Sequence, residues 1–268
     1  MDYRYLTDYY NKFNEDKRLK SRHGQIEFIN TCRYIDDIIE AIKIENRISN
    51  EEIKLLDIGA GTGAYSGRFS NMGIDTYAIE LVKHNCSRLK VNFPNVKARV
   101  GNALDLKKYE DDFFDICLLF GPMYHLFEEA DKVKCLKEAK RVTKPGGYIF
   151  VAYVMNEYAI YMYAFKEHNM EQLVKDNRFR DDYRTVSSEK DLYDYVRTED
   201  IDRYNELADL KRDFIFTPDG GANYMRETLK EMSENEFMML VDYQYCVAKR
   251  TDLLGAGAHV VDVLRKKG

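Results

Sequence analysis

The chain has 268 residues, a net charge of −5, and 45% hydrophobic and 32% charged residues, an ordinary mixture for a globular protein. This length allows one large domain with its own core, or a core domain with a small cap. The negative charge gives no general attraction to phosphate backbones, and no apolar run approaches the roughly 20 residues that span a bilayer, so neither nucleic acid nor a membrane is expected as a partner.

The N-terminus and the cysteines indicate the compartment. Residues 1–5 lack the apolar core of a signal peptide. The five cysteines are scattered, and no two have C-x-x-C spacing, which argues against a disulfide framework or a zinc site. We therefore expect a cytoplasmic protein with reduced thiols and no bound metal.

Apolar spacing predicts an α/β fold. Residues 24–44 carry apolar side chains at helical spacing and are predicted to form an amphipathic helix that packs on the domain. Strands and helices then alternate, which predicts a doubly wound, mostly parallel, seven-stranded sheet of the Rossmann-like type. The predicted strands are 53–58, 75–80, 96–100, 113–120, 147–154, 211–216 and 258–265. The predicted helices are 64–72, 82–92, 129–142, 199–208 and a helical excursion over about 222–250.

Two segments depart from this alternation. Residues 1–48 are predicted to form an N-terminal helical cap segment. Residues 156–195, rich first in Tyr and Met and then in charge, are predicted to form a helical lid insertion. Residues 49–155 and 196–268 are the α/β core, so we expect one domain with a cap. Within the core, Pro145-Gly146-Gly147 is predicted to be a tight turn that leads into the fifth strand.

The most informative motif is the glycine-rich segment Asp57-Ile-Gly59-Ala-Gly61-Thr-Gly63. It lies between a buried strand and a helix, at the strand's carboxyl end, where open α/β sheets bind nucleotides. Glycines there let the backbone turn sharply and approach a ligand closely. Three interpretations fit: the dinucleotide fingerprint of dehydrogenases, a turn without a ligand, and a segment that resembles the first motif of class I S-adenosylmethionine-dependent methyltransferases.

Two further strand ends carry polar candidates. Glu80 closes the second strand, where an acid can accept hydrogen bonds from both hydroxyls of a ribose; the alternative is a surface glutamate. Asn102, after the third strand, stands in a segment that resembles the adenine-holding segment of the methyltransferases. An acid is common there, but an amide oxygen can accept the same hydrogen bond. Asp105 is a rival for this role, and a simple turn residue is the alternative.

The fourth strand ends in Phe120-Gly121-Pro122-Met123-Tyr124-His125. The Asn-Pro-Pro-Tyr type of motif found in methyltransferases of base amines is absent, which argues against adenine or a glutamine amide as acceptor. The segment instead resembles that of bacterial small-molecule methyltransferases. His125 is a candidate general base, with a helix cap or a loop hydrogen bond as the alternative role. Tyr124 is a candidate to line the pocket and contact the methionine moiety or the substrate.

Together these motifs, with Lys144-Pro145-Gly146-Gly147, resemble class I S-adenosylmethionine-dependent methyltransferases over residues 53–154. The ends of the chain resemble one poorly characterised bacterial subgroup, through residues 9–27, 219–226 and 250–254. The resemblance implies S-adenosylmethionine as cofactor and S-adenosylhomocysteine as product. The cofactor-binding residues that it implies are Asp57, Gly59, Ala60, Gly61, Gly63, Glu80, Leu81, Asn102, Ala103, Phe120 and Gly121.

The subgroup's end segments supply further candidates. Arg22 is a candidate to pair with the methionine carboxylate, because the arginine fork matches a carboxylate. Asn223 and Arg226 lie three residues apart, on one helix face, and are candidates to grip a substrate acid or phosphate. For each of these residues an ordinary surface salt bridge is the alternative. His23 and His259 are expected to be structural, because the neighbours of His259 fit no ligand or triad pattern.

The sequence therefore predicts transfer of a methyl group to an O, N or S nucleophile of a small molecule. A nicotinamide-dependent oxidoreductase and a non-catalytic S-adenosylmethionine-binding module are the alternatives, and a protein acceptor stays open. The chain is expected to be a monomer or a homodimer.

Overall fold

The computed structural model describes residues 4–12, 19, 21–188 and 190–267. Within them a single mixed sheet of seven strands forms the centre of the molecule. The strands are β1 (Lys54–Ile58), β2 (Asp75–Glu80), β3 (Lys97–Val100), β4 (Phe114–Leu119), β5 (Thr143–Val154), β6 (Lys211–Phe216) and β7 (His259–Arg265). Their spatial order is β3-β2-β1-β4-β5-β7-β6.

The helices alternate with the strands in the first half of the chain and form excursions in the second. They are α1 (Arg4–Lys12), α2 (Arg22–Asn46), α3 (Ala64–Asn71), α4 (Lys83–Asn92), α5 (Glu129–Val142), α6 (Asn156–Ala159), α7 (Met170–Lys175), α8 (Thr198–Leu207), α9 (Arg226–Glu231) and α10 (Glu234–Val247). A π-helix covers Ile160–Phe165, and short 3₁₀ turns cover Pro122–His125, Ala222–Met225 and Thr251–Ala256.

The expected Rossmann-like sheet of seven strands is confirmed, but it is mixed. The pairs β3·β2, β2·β1, β1·β4 and β4·β5 are parallel. The last strand, β7, is antiparallel to both β5 and β6. Because of this reversal, the first residue of β7, His259, lies beside Val154 at the carboxyl end of β5.

The strands β1 and β4 form where the prediction placed them because their side chains are apolar on both faces. In β1, Leu55 packs with Ile35 and Phe69 on one face, while Leu56 packs with Cys117 and Leu136 on the other. All six residues of β4 are buried. A strand covered by helices on both sides reads as a continuous apolar run, as these two strands do.

The predicted tight turn at Pro145-Gly146-Gly147 is instead an irregular part of β5. Phe114 pairs with Thr143 and Ile116 with Tyr148, so the register shifts there and extra residues are accommodated in β5. Gly146 has a φ of +79°, and its N–H donates to Lys266 O at 2.9 Å. The hydrogen bonds continue the sheet on both sides of this glycine, so the segment is a bulge in β5 and not a turn between elements.

The segment 156–195 is helical only in its first half. After α6, the π-helix and α7, the described residues 176–188 and 190–197 form turns and isolated bridges, such as Met155 with Val196. Charged side chains in this stretch bond one another, as Arg178 does with Asp191, instead of forming an apolar helical face. The predicted helical insertion is therefore helical up to Lys175 and irregular beyond it.

In the part of the chain that the structure describes, no helix has the length and apolar character needed to cross a membrane.

Candidate functional site

A single pocket extends along the carboxyl edge of the sheet. It begins at the ends of β2 and β3, crosses the ends of β1 and β4, and reaches β5 and β7 at Ala152 and Val261. The predicted residues that line it are Asp57, Gly59, Ala60, Gly61, Glu80, Leu81, Asn102, Ala103, Phe120, Gly121, Tyr124 and His125. Most of the candidates from the strand ends therefore meet in one cavity.

Glycine is needed at each of the three motif positions for a different structural reason. All have positive φ: Gly59 +82°, Gly61 +55° and Gly63 +94°. A Cβ on Gly59 would lie 2.8 Å from Cδ of Pro122, and one on Gly63 would lie 2.7 Å from Cγ of Leu89. A Cβ on Gly61 would meet no atom within 4 Å. Gly59 and Gly63 thus keep the loop packed, whereas the backbone at Gly61 faces open space that a ligand can fill.

Gly63 is the motif glycine that does not line the pocket. It is the N-terminal cap of α3, in the left-handed conformation, and it packs against α4. Gly63 therefore faces away from the pocket and lets α3 start close to Leu89 and Phe93.

Glu80 is fixed at the end of β2 by the backbone. Its Oε2 accepts from Gly61 N at 2.8 Å and its Oε1 accepts from Val82 N at 2.8 Å. The side chain is 6% exposed and lines the pocket. Each carboxylate oxygen has a second lone pair, so this arrangement is compatible with hydrogen bonds from two ribose hydroxyls.

Asp57 lies beneath the glycine loop. It is 2% exposed, and its Oδ2 accepts from Ser66 N, in the first turn of α3, at 3.2 Å. Burial raises the pKa of the Asp57 carboxyl to about 7, and the neighbouring Glu80 adds to the effect. A cationic ligand in the pocket would favour the ionised form of this carboxyl.

Asn102 and Ala103 form the other end of the pocket, as expected. The Oδ1 of Asn102 accepts from Leu104 N at 2.9 Å, so the amide also holds its own turn. The rival, Asp105, accepts from Lys107 N and lies outside the pocket lining. Of these two candidates, therefore, Asn102 lines the pocket and Asp105 does not.

Tyr124 and His125 line the pocket and are also held by the surrounding loops. The hydroxyl of Tyr124 donates to Phe120 O at 2.6 Å. The Nδ1 of His125 lies 2.8 Å from Leu192 O, which assigns the proton to Nδ1, and its Nε2 lies 2.9 Å from the hydroxyl of Tyr10. Burial lowers the pKa of His125 to about 4, so the imidazole is neutral and weakly basic. This geometry is that of a structural anchor between α1 and the insertion.

Arg22 does not reach the pocket. It lies 3.3 Å from the carboxylate of Glu234, and its guanidinium stacks 4.6 Å above the ring of Phe237. Both partners belong to α10, which packs on α2. The expectation that Arg22 pairs with the methionine carboxylate is thus not supported, because the start of α2 turns this side chain towards α10.

Asn223 and Arg226 do not share one helix face and do not line the pocket, because Asn223 lies in the 3₁₀ turn Ala222–Met225 and Arg226 begins α9. The Nη2 of Arg226 donates to Asn223 Oδ1 at 2.7 Å and to the hydroxyl of Tyr158 at 3.1 Å. Asn223 in turn donates to Asp219 Oδ2 at 2.8 Å. These residues therefore support Asp219, and an open anion-binding arrangement is not observed.

Three pocket features were missed by the sequence interpretation. His259 and Glu27 line the pocket beside β5 and β7, and Tyr10 of α1 lines it near His125. The Nδ1 of His259 lies 2.7 Å from Asp219 Oδ2 and 3.8 Å from Glu27 Oε2. No local motif signals this group, since Asp219 and His259 are 40 residues apart in the chain.

Comparisons with known proteins agree with this geometry. A family described as "Methyltransferase domain" matches residues 56–151. A demethylmenaquinone methyltransferase of Renibacterium salmoninarum is 31% identical over 37% of this chain and 40% of its own length. A ubiquinone/menaquinone biosynthesis C-methyltransferase UbiE of Shewanella sp. is 27% identical over 71% of this chain and 68% of its own length. The alignment with the first of these relatives thus spans about two fifths of that protein.

Among solved structures, a SAM-dependent methyltransferase from Methanosarcina mazei aligns with 84% of this chain and 96% of its own, with a TM-score of 0.54 and 13% identity, which shows the fold. The matched region holds Gly59, Gly61, Glu80, Asn102 and Tyr124, all of which line the pocket. Residues 56–151 thus match a methyltransferase-domain family, and the chain has the fold of a solved SAM-dependent methyltransferase. These similarities imply S-adenosylmethionine as the cofactor.

Proposed function

We propose that the protein transfers the methyl group of S-adenosylmethionine to an oxygen, nitrogen or sulfur nucleophile of a small molecule. The observation that carries this proposal is the extent of the pocket. The glycine loop, Glu80 and Asn102 account for its β1–β3 end, and the same cavity continues to Ala152 and His259 on β5 and β7. That second end offers room for an acceptor beside the cofactor.

The roles of the lining residues follow from their chemistry. Glu80 accepts the ribose hydroxyls, Asn102 and Ala103 hold the adenine, and the backbone at Gly61 lies along the cofactor. When bound, S-adenosylmethionine supplies a methyl group on a sulfonium centre, and its displacement leaves the carbon–sulfur electron pair on sulfur. The protein's own contribution is to align the acceptor and exclude water.

We also propose the domain organisation that the sequence predicts: a cap at residues 1–48, a core at 49–155 and 196–268, and a lid at 156–195. Leu6 and Tyr10 of α1 line the pocket. Asp194 N donates to Tyr124 O at 2.8 Å, which attaches the insertion to the pocket's edge. Residues 1–3 and 13–18, also part of the cap, lie outside the described residues.

Calorimetric titration with S-adenosylhomocysteine, and with NAD as a comparison, tests the cofactor site. The matched pair of variants is Gly61→Gln and Gly146→Gln. Both glycines have positive φ and no atom within 4 Å of a built Cβ, but Gly146 lies in β5, outside the pocket. We expect Gly61→Gln to lower the affinity for S-adenosylhomocysteine at least about a hundredfold, and Gly146→Gln to leave this affinity unchanged. Binding of NAD alone would contradict the proposal.

Transfer itself is tested with methyl-labelled S-adenosylmethionine. The protein is incubated separately with the ultrafiltrate of a bacterial extract and with the retained protein fraction. We expect label to appear on ultrafiltrate compounds and to be lost with Gly61→Gln. Label on the protein fraction alone would indicate a protein acceptor, and label on neither, despite tight cofactor binding, would indicate a non-catalytic module.

A further inference from the structure

The insertion at residues 156–195 contains a second cavity, apart from the pocket at the carboxyl edge of the sheet. Its volume is about 200 Å³, and it shares no lining residue with that sheet-edge pocket. Its walls come from α6, the π-helix, α7 and the irregular residues that follow. We call it the insertion cavity, and six of the residues that define it are Ala164, Leu173, Phe179, Ser187, Leu192 and Tyr195.

Two features distinguish the insertion cavity from an ordinary packing defect. The first is its size, because protein interiors hold few voids larger than a water molecule, and an apolar cavity of roughly 150 Å³ already binds benzene. The second is its wall, which includes Ile160, Tyr163 and Ala164 of the π-helix Ile160–Phe165. π-Helices are rare and occur frequently at functional sites. Both features are those of a site for a small ligand.

The chemistry of the lining indicates the class of ligand. Nine of the lining side chains are apolar or aromatic, four of them rings of Tyr or Phe. The charged lining residues, within the part of the chain that the structure describes, are Arg178 and Asp191, which bond each other at 2.7 Å. A charged ligand would lose its hydration without finding an unpaired opposite charge. An uncharged aromatic ring, in contrast, packs favourably on the rings of the wall.

Two adjacent residues connect the insertion cavity with the sheet-edge pocket. Leu192 and Tyr193 line the insertion cavity. Leu192 O accepts from His125 Nδ1 at 2.8 Å, and the ring of Tyr193 stacks on the ring of His125 with 5.5 Å between the centroids. The ring of Tyr193 also lies edge-on to that of Tyr124, at 5.6 Å. Because Tyr124 and His125 line the sheet-edge pocket, a ligand that packs on Leu192 and Tyr193 restrains the edge of that pocket.

We propose that the insertion cavity binds a small uncharged aromatic molecule, which strengthens cofactor binding in the sheet-edge pocket through Leu192, Tyr193 and His125. This molecule is an effector and not the methyl acceptor, because its site shares no lining residue with the sheet-edge pocket. The coupling, but not the site, rests on the proposed function. By thermodynamic linkage, the effector and the cofactor raise each other's affinity by the same factor.

Indole is the probe for the insertion cavity. It is uncharged, and the chain contains no tryptophan, so indole fluorescence can be excited apart from that of the protein's tyrosines. The titration is made with and without saturating S-adenosylhomocysteine. We expect saturable binding in both cases, about fivefold tighter when S-adenosylhomocysteine is bound.

Three compounds of similar size test the preference for an uncharged ligand. Benzyl alcohol, benzylamine and benzoate each carry one phenyl ring and differ in charge. We expect benzyl alcohol to displace indole at a concentration about tenfold lower than either charged compound, because neither charge finds an unpaired partner in the cavity.

Variants in two walls locate the probe. Ala164→Phe in the π-helix and Ser187→Phe in the irregular stretch each fill part of the cavity. We expect each to lower indole affinity at least about tenfold and to retain S-adenosylhomocysteine binding, which also shows that the variant is folded. Ala130→Phe, at an exposed position of α5 outside both cavities, is the matched control and leaves indole binding unchanged.

The outcomes separate the site, the coupling and the proposed function. Absence of saturable indole binding, displacement of indole by S-adenosylhomocysteine, or binding that both filling variants leave unchanged would overturn the site. Displacement by benzylamine or benzoate as effective as that by benzyl alcohol would overturn the ligand class. Equal indole affinities with and without S-adenosylhomocysteine would overturn the coupling. Indole binding by a wild type that does not bind S-adenosylhomocysteine would support the site and overturn the proposed function.

Discussion

The ionisation of one residue, Asp57, should make the stability of the protein depend clearly on pH. Burial raises its pKa from 3.8 to about 7, so the native state binds more protons than the unfolded state between these values. The free energy of unfolding therefore falls as the pH rises through this window, by on the order of 4 kcal/mol in total for this group.

Asp57→Asn removes this titration while keeping an oxygen for Ser66 N. We expect urea denaturation to show the variant gaining stability relative to the wild type between pH 5 and pH 8. Asp181→Asn, a change of the same kind at an exposed site, should track the wild type at both pH values. If the difference in the free energy of unfolding between the wild type and Asp57→Asn is the same at pH 5 and pH 8, the Asp57 carboxyl is not buried in its protonated form.

One of the places where the insertion is attached to the core is the short segment Pro122–His125. His125 Nδ1 donates to Leu192 O at 2.8 Å, and Asp194 N donates to Tyr124 O at 2.8 Å. Lys132 of α5, 1% exposed, lies 3.1 Å from Asp194 Oδ2, and burial lowers the pKa of its ammonium. These contacts join the edge of the pocket and the insertion into one hydrogen-bonded unit.

Asp194→Ala leaves the Lys132 ammonium buried without this carboxylate. We expect a loss of about 3–5 kcal/mol in the free energy of unfolding and faster proteolysis within residues 156–195. The double variant with Lys132→Met should recover much of the loss, since no buried cation then remains. Equal losses in the single and double variants would indicate that the ion pair is unimportant.

Across the molecule, the pocket draws on elements from both ends of the chain. Leu6 and Tyr10 of α1 meet the β1–β4 loops and the start of β7 around one cavity. A bound cofactor should therefore slow hydrogen exchange in α1, because two of its side chains line this cavity.

The protection of α1 by a bound cofactor can be checked by measuring hydrogen exchange with and without S-adenosylhomocysteine. We expect residues 4–12 and the glycine loop to gain protection, while α5, which packs on the far side of the sheet, changes little. Protection that appears in the glycine loop and not in α1 would show that α1 is not part of the closed site.

The sequence predicted the features that depend on neighbours in the chain. The strand β1, the glycine turn and Glu80 follow from apolar runs and local backbone needs, and they lie where expected. Arg22 was misplaced because the direction of a helical side chain depends on which helix packs against it, here α10. Asn223 and Arg226 were not recognised as neighbours of Asp219, because that contact depends on how the loop after β6 meets β7.

The reversed strand β7 has a consequence for how this protein can change. Its direction brings its first residue, and the loop that carries Asp219, to the edge of the sheet where the glycine loop and Glu80 also lie. Two stretches that are far apart in the gene thus line one pocket. Substitutions near the C-terminal end of the chain can therefore alter this side of the pocket while the glycine loop stays unchanged.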